Sequence, residues 1–206
     1  MKNRRYLYRL VPLLLLLLSG CGANTPQLRP LPKDAVILAF GDSLTYGTGA
    51  PKAKSYPADL ARLSGRKVIN AGVPGEVSAA GVKRLPALLD EYQPNLLILC
   101  HGGNDLLRRM SVDALEQNLR EMIEIARGRG IPVVLIAVPQ PKLLLLHADE
   151  VYPRLAEHYH LPFAPDLLAD IESDRRLKSD AVHPNAAGYQ QLAEGVYQLL
   201  RDSGAL

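Results

Sequence analysis

The sequence has few aromatic residues. Among its 206 residues there is no tryptophan, and phenylalanine occurs twice. This argues against the aromatic stacking platforms with which proteins bind single-stranded nucleic acid. The overall composition, 48% hydrophobic and 22% charged, is typical of a folded globular protein and not of a disordered chain. The length suits one domain, or one small domain with an appendage.

Motifs for metals and nucleotides are missing as well. The sequence contains neither a G-x-G-x-x-G string nor a Walker string. Its five histidines do not stand at spacings typical of zinc ligands, and we expect His158 and His160 at a solvated helix end. The sequence therefore predicts no metal site, and it contains no recognisable motif for a nucleotide cofactor.

The excess of positive charge is confined to the N-terminus. The formal net charge is +3, but residues 1–20 hold four basic side chains and no acidic one. The remainder has 20 basic and 21 acidic residues, a net charge of −1. We therefore expect no DNA or RNA partner for the rest of the chain.

The first twenty residues have the anatomy of a secretory signal peptide. Basic residues in Lys2–Arg9 precede the apolar run Leu10–Leu18, which is too short to span a bilayer as a helix of about 20 residues. The segment Leu18–Cys21 resembles a bacterial lipobox, where cleavage leaves the cysteine to carry lipid. The alternative is a plain signal peptide followed by an incidental Cys21. We predict a signal peptide at 1–20, a lipidated cysteine with a proline-rich tether at 21–33, and a folded domain at 34–206.

Short apolar runs predict strands, and the stretches between them have helical periodicity. The strands are expected at Val36–Phe40, Lys67–Asn70, Leu96–Cys100 and Val133–Val138. The helices are expected at about Glu76–Tyr92, from Val112 to a stop at Gly128 and Gly130 with Ser111 as N-cap, at about Asp149–Tyr159, and from Pro184 onward. This alternation implies a parallel sheet with helices on both faces, which binds ligands at the carboxyl ends of its strands.

Two polar segments could supply a nucleophile and its base. Ser43 directly follows the first strand, where a helix N-terminus would stabilise a developing oxyanion; alternatively Asp42 or Ser43 is an ordinary helix N-cap. Asp180 and His183 precede the last helix and could act as orienting acid and base, although a D-x-x-H string also arises often by chance.

Two further segments could bind an oxyanion. Asn104 follows two glycines after the third strand, and its amide could donate to an oxyanion or only shape a turn. Gly75, after the second strand, could supply a backbone N–H. We expect His101 to be a supporting or structural neighbour of Asn104. The apolar quartet Leu143–Leu146 is either a core turn or a mobile flap that offers an apolar surface to substrate.

Together these segments resemble the sequence blocks of the GDSL, or SGNH, hydrolase family, in the family's order and spacing. The resemblance spans Val36 to Leu200, and its blocks are Gly41–Leu44, Asn70–Gly75, Gly102–Asp105 and Asp180–Pro184. It implies a flavodoxin-like three-layer sandwich with a central parallel sheet of about five strands. It further implies a nucleophile at Ser43, the acid and base at Asp180 and His183, and an oxyanion hole formed by Ser43, Gly75 and Asn104.

The most similar subgroup is that of the bacterial thioesterase I, lysophospholipase L1 and arylesterase enzymes. The second block, Asn70–Gly75 (block II), and the residue after it depart from this subgroup. The subgroup more often has serine at the positions of Gly72 and Pro74, and aspartate at that of Glu76. The oxyanion glycine is intact, but the acyl preference of the subgroup does not carry over.

The resemblance implies a serine esterase for carboxylic esters or thioesters, with lysophospholipids or other lipid or aryl esters as substrates. The alternatives are an O-acetylesterase acting on envelope polysaccharide and a non-catalytic binding lipoprotein on the same fold. We expect a monomer that meets the membrane through its lipid anchor on the periplasmic side of the bacterial envelope. Gly22 is not the aspartate that retains many such lipoproteins at the inner membrane, which favours the outer membrane.

Overall fold

A computed structural model describes residues 25–141, 146–148 and 150–206. A five-stranded sheet, entirely parallel and ordered β2-β1-β3-β4-β7, forms the centre of the fold. A separate antiparallel pair, β5 and β6, follows β4. The strands are β1 Val36–Gly41, β2 Lys67–Gly72, β3 Leu96–Cys100, β4 Val133–Ile136, β5 Pro139–Pro141, β6 Leu146–Ala148 and β7 Phe163–Ala164.

Helices surround the sheet, so the predicted α/β sandwich is confirmed. They are α1 Ser43–Tyr46, α2 Tyr56–Ser64, α3 Ser78–Tyr92, α4 Gly103–Leu107, α5 Val112–Gly128, α6 Val151–Tyr159, α7 Leu167–Ser173 and α8 Ala186–Asp202. Short 3₁₀ turns occur at Lys52–Lys54 and Arg175–Leu177. In the described ranges, no helix is long and apolar enough to cross a membrane.

The central strands form the core. Every residue of β3 and β4 is buried, as expected for parallel strands covered on both faces. The strand predicted at Lys67–Asn70 is confirmed as β2, but it lies at the sheet edge and is only partly covered, unlike the other predicted strands. No pattern in the sequence predicts β7, which is two residues long and pairs with the end of β4.

Helix boundaries follow the capping residues. Ser111 Oγ accepts the N–H of Ala114 and caps α5, as predicted. The last helix does not begin at Pro184: Asn185 is the cap, and its side chain accepts the N–H groups of Ala187 and Gly188. The side chains of Tyr189, Leu192, Val196 and Leu200 on this helix are buried.

The strand register brings the polar segments together. Gly41 at the end of β1 stands level with Gly72 of β2 and Cys100 of β3. The segments that follow these three strands therefore start at the same edge of the sheet, where parallel sheets bind ligands.

The predicted signal peptide, Cys21 and most of Leu143–Leu146 lie outside the described residues. Residues just before Asp34 contact the domain: the N–H of Leu28 donates to the carbonyl of Ser203 at 2.7 Å and that of Leu31 to Ala205 at 2.8 Å. Both leucines pack against the core. Leu28 and Leu31 therefore contact the C-terminal residues of the folded domain, although they precede the predicted domain start at Asp34.

Candidate active site

A cleft opens at the carboxyl ends of β1, β3 and β4. It is partly open to solvent and lies beside Ser43, Asn104 and His183. Leu44, Leu107, Val138, Pro139 and Val182 supply apolar walls. Asp42 and His183, which are 141 sequence positions apart, thus line one concave surface, the kind that holds small molecules.

Three of the predicted residues are hydrogen-bonded in a row. His183 Nε2 lies 3.0 Å from Ser43 Oγ, and His183 Nδ1 lies 2.8 Å from Asp180 Oδ2. These distances are within the reach that a nucleophile, its base and an orienting carboxylate require.

The Asp180 carboxylate fixes the tautomer of the imidazole. Burial raises the pKa of Asp180, but hydrogen bonds from the N–H groups of Val182 and His183 and from the His183 ring outweigh it and bring it to about 2. An ionised carboxylate only accepts hydrogen bonds, so Nδ1 of a neutral His183 carries the proton. Nε2 is then free to accept the hydroxyl proton of Ser43.

The loop that carries Asp180 and His183 is held at both ends. Asp180 Oδ1 accepts the N–H groups of Val182 at 2.9 Å and His183 at 2.8 Å, which closes a local turn. Asn185 Nδ2 donates to the carbonyls of Arg176 and Lys178 at 2.8 and 3.2 Å. One asparagine therefore caps α8 and ties the loop down.

Asp42 and Ser43 have different roles. Asp42 is the N-cap of α1, because its Oδ1 accepts the N–H of Leu44 at 3.1 Å, whereas Ser43 faces His183. Asp42 is buried, and burial raises the pKa of its carboxyl, although His101 and two backbone N–H groups act in the opposite sense. Its Oδ2 also accepts the N–H of Gly103 at 3.2 Å, which ties the end of β1 to the segment after β3.

The candidate oxyanion donors are connected through Glu76. Asn104 Nδ2 donates to the backbone carbonyl of Glu76 at 3.0 Å, so the residue after Gly75 holds the Asn104 side chain. Gly75 has φ +79°, a conformation that favours glycine. The Nδ2 group has two hydrogens, so one N–H of Asn104 remains for a ligand. The first N–H of α1, that of Ser43, has no acceptor within its helix.

The Glu76 carboxylate is clamped under this loop. Arg84 donates to both of its oxygens, at 2.8 and 2.6 Å, and His101 Nε2 lies 3.1 Å from Oε2. The N–H of Gly102 donates to His101 Nδ1 at 2.8 Å, so Nε2 carries the proton and donates to Glu76. Burial raises the pKa of Glu76, but the hydrogen bonds from His101 and Arg84 bring it to about 2.

This clamp gives His101 the supporting role expected for it. The helix predicted from Glu76 begins instead at Ser78, because Glu76 belongs to the loop. Sequence reasoning missed Arg84, whose position on a partly exposed helix resembled that of any solvated charge. Gly102 has φ +109°, which allows the turn between His101 and Asn104.

Sequence reasoning also missed Glu172. This residue of α7 is 6% exposed and lines the cleft beside Ser43 and His183. Burial raises the pKa of its carboxyl to about 8, against the attraction of Lys178 and with the repulsion of Asp42 and Asp180. An acidic residue on the inner side of a short helix gives no periodic signal by which the sequence could reveal it.

The part of the chain that the structure describes contains no group of three or more His, Cys, Asp or Glu side chains able to hold a metal ion. The arrangement of Ser43, His183 and Asp180 beside N–H donors is that of acyl transfer to a serine.

The sequence matches the model of the GDSL-like Lipase/Acylhydrolase family over residues 39–191. It is 33% identical to "Esterase TesA" of Pseudomonas aeruginosa, over 90% of this chain and 97% of that protein. It is 34% identical to "Arylesterase" of Vibrio mimicus, over 80% and 87% of the two chains. It is 28% identical to "Thioesterase 1/protease 1/lysophospholipase L1" of Escherichia coli, over 80% and 83%.

Among solved structures, the fold is similar to a crystal structure of TesA, with a TM-score of 0.74 and 30% identity. That alignment covers 81% of this chain and 98% of the solved one.

Proposed function

Because the chain belongs to the GDSL-like lipase/acylhydrolase family, we propose that it hydrolyses carboxylic esters through Ser43, His183 and Asp180. The observation that carries this proposal is the continuous hydrogen-bonded row from Asp180 through His183 to the Ser43 hydroxyl. Ordinary N-capping requires no such row, because Asp42 already caps α1.

In the first half of the reaction, Ser43 Oγ attacks the ester carbonyl carbon while His183 Nε2 takes its proton. Asp180 stabilises the imidazolium through Nδ1–H. The carbonyl oxygen becomes an oxyanion, which the N–H groups of Ser43 and Gly75 and the amide of Asn104 stabilise.

In the second half, His183 gives its proton to the departing alcohol or thiol, and the carbon–oxygen or carbon–sulfur bond breaks. An acyl-enzyme on Ser43 remains. Water, deprotonated by His183, attacks this ester; the carboxylic acid leaves and the Ser43 hydroxyl is restored.

We assign lipid esters, lysophospholipids among them, and aryl esters as the substrate class. The apolar side chains along the cleft support this assignment, as do the names esterase, arylesterase and lysophospholipase among the similar proteins. The chain differs from its subgroup at Gly72, Pro74 and Glu76 in and beside block II. We therefore do not transfer the acyl-chain length that the subgroup prefers to this enzyme.

We further propose that Cys21 carries a lipid that anchors the enzyme on the periplasmic side of the envelope, at the outer membrane. The support is the lipobox-like Leu18–Cys21 directly after an apolar run. An enzyme in that position does not meet cytosolic acyl-CoA, which favours envelope esters over thioesters.

The test is hydrolysis of p-nitrophenyl esters with acyl chains from acetyl to long. The wild type should turn over at least one of them, and Ser43→Ala should lower kcat by roughly 10⁴-fold or more. A serine-reactive phosphonate should label the wild type at Ser43. The exposed Ser173→Ala is the matched control and should retain full activity.

Persistent activity in Ser43→Ala would refute the mechanism. A folded wild type that neither hydrolyses any ester nor reacts with the phosphonate would favour the non-catalytic lipoprotein. A rate confined to the acetyl ester would favour the O-acetylesterase.

A further inference from the structure

Glu172 places a carboxyl in the cleft that the proposed mechanism does not use. Only 6% of the surface of Glu172 is exposed to solvent, and the residue lines the same cleft as Ser43, Asn104 and His183. Across residues 25–141, 146–148 and 150–206, no hydrogen-bond donor reaches its carboxyl. In the described residues, the buried side-chain atoms without a hydrogen-bond partner are Asp59 Oδ1 and Arg66 Nε, so the unpartnered Glu172 oxygens are open to the cleft. A polar group of a bound ligand can therefore hydrogen-bond them in place of water.

The surroundings hold this carboxyl in its neutral form. Burial raises its pKa to about 8; the attraction of Lys178 does not reverse this, and the repulsion of Asp42 and Asp180 acts in the same sense as burial. Asp42 is not a competitor for the same ligand, because its oxygens already accept the N–H groups of Leu44 and Gly103. At neutral pH the cleft therefore presents one uncharged carboxyl that can both donate and accept.

The other side chains near it are apolar. Leu44, Leu107, Val138 and Val182 line the same cleft. A plain alkyl group fits such walls but leaves the carboxyl without a hydrogen bond. A group with a hydroxyl satisfies the carboxyl and still packs against the walls.

We propose that Glu172 is a specificity-determining residue whose carboxyl hydrogen-bonds a hydroxyl of the bound ester, so that the enzyme prefers hydroxylated esters to plain alkyl esters of equal length. This inference rests on the proposed ester hydrolysis at Ser43. A hydroxyl suits the site better than an ammonium group, because an ammonium would require ionised Glu172 and would lose its own hydration in an apolar cleft.

The hydroxyl can belong to either half of the ester. A hydroxylated acyl chain and a polyol such as glycerol offer the same chemistry. The experiment therefore has two arms at pH 7: p-nitrophenyl 3-hydroxybutyrate against p-nitrophenyl butyrate, and glycerol monobutyrate against propyl butyrate. Each arm yields a ratio of kcat/KM for the hydroxylated over the plain ester.

The variants are Glu172→Leu and Glu172→Gln, with Glu157→Leu on the exposed face of α6 as the matched control. In at least one arm, Glu172→Leu should lower the ratio by roughly 10-fold or more, which is the worth of one hydrogen bond in a buried site. Glu172→Gln keeps a donor and an acceptor and should retain most of the ratio. Glu157→Leu should leave it unchanged.

A general packing defect would slow hydrolysis of both esters alike and leave the ratio of their kcat/KM values unchanged. A change in this ratio therefore reports recognition of the hydroxyl group. An unchanged ratio in both arms for Glu172→Leu, with wild-type hydrolysis intact, overturns the role of Glu172 and leaves the proposed function standing. Equal loss of the ratio in Glu172→Gln and Glu172→Leu also overturns it, since it would mean that charge is recognised. No hydrolysis by the wild type overturns the proposed function and this inference together.

Discussion

The Asn104 side chain donates to the backbone carbonyl of Glu76 at 3.0 Å, while Arg84 and His101 hold the Glu76 carboxylate. One residue thus joins a candidate oxyanion donor to an ionic clamp beneath the sheet edge. The backbone carbonyl of the clamped residue thus holds the side chain of Asn104, and Gly75 is the residue directly before it in the chain. The proposed donor Asn104 is therefore held in place without a ligand, which is what electrostatic stabilisation of a transition state requires.

Asn104→Ala should lower kcat by roughly 10²–10³-fold with little change in KM, because the interaction strengthens as charge develops on the oxygen. Asn104→Asp should be at least as severe, since a carboxylate cannot donate. Steady-state kinetics and melting temperatures of both variants provide the measurement. Asn95→Ala, whose side chain caps the start of β1 by accepting the N–H of Val36, is the control for lost stability alone. A normal kcat with a lowered melting temperature in Asn104→Ala would reduce Asn104 to a turn residue.

Glu76→Gln should weaken the clamp and lower the free energy of unfolding at pH 7 by about 2–4 kcal/mol. It should also lower kcat, because the Asn104 side chain would be displaced. The pH dependence has a definite sign. The pKa of Glu76 is about 2 in the folded chain and 4.5 ordinarily, so its contribution is complete above pH 4.5 and is lost as the pH falls toward 2.

Chemical denaturation between pH 7 and pH 2 measures this contribution. The gap in unfolding free energy between wild type and Glu76→Gln should be constant above pH 4.5 and should narrow below it. Glu121→Gln, an exposed change on α5, should show no such gap. A gap that stays constant down to pH 2 would contradict the ionic clamp.

Asn185 variants separate the helix cap from the support of the catalytic loop. Asn185→Ala should cost about 1–2 kcal/mol of stability through the lost cap of α8, and should lower kcat because the loop with Asp180 and His183 loses its ties. Asn185→Asp keeps the cap but loses the donor to the loop, so kcat should fall with little loss of stability. Ser111→Ala removes the cap of α5 and should lower stability alone. If Asn185→Asp has wild-type kcat, the loop needs no such support.

Cys21→Ser should move the protein from the membrane fraction to the periplasm or leave it unprocessed. The expectation follows from the lipobox-like segment, because Cys21→Ser removes the thiol that is proposed to carry the lipid. Metabolic labelling with a fatty acid and fractionation provide the readout, and Cys100→Ala, a buried cysteine in β3, should remain labelled. If the wild type is not labelled, and if it and Cys21→Ser are retained equally in the membrane fraction, no lipid is attached at Cys21.

Much of the fold could be predicted from the apolar runs of the sequence. The runs at Leu96–Cys100 and Val133–Ile136 are strands because they are uninterrupted, and Ser111 starts α5 because its hydroxyl can accept a free N–H. These are local properties of neighbouring residues, so periodicity and capping rules reveal them. The edge position of β2 is not local, since it depends on which strand fails to find a second neighbour.

The same division holds for the site. Order and spacing in the sequence singled out Ser43, Gly75, Asn104, Asp180 and His183, because each follows a strand or precedes a helix in a recognisable segment. Only the tertiary structure brings Glu76 to Asn104 and Arg84 to Glu76, and turns Glu172 toward the cleft. Those relationships depend on strand order and on how the helices pack on the sheet. A single charged residue in a sequence does not tell whether it will face water, a partner or a substrate, because burial and pairing are decided by residues far away in the chain.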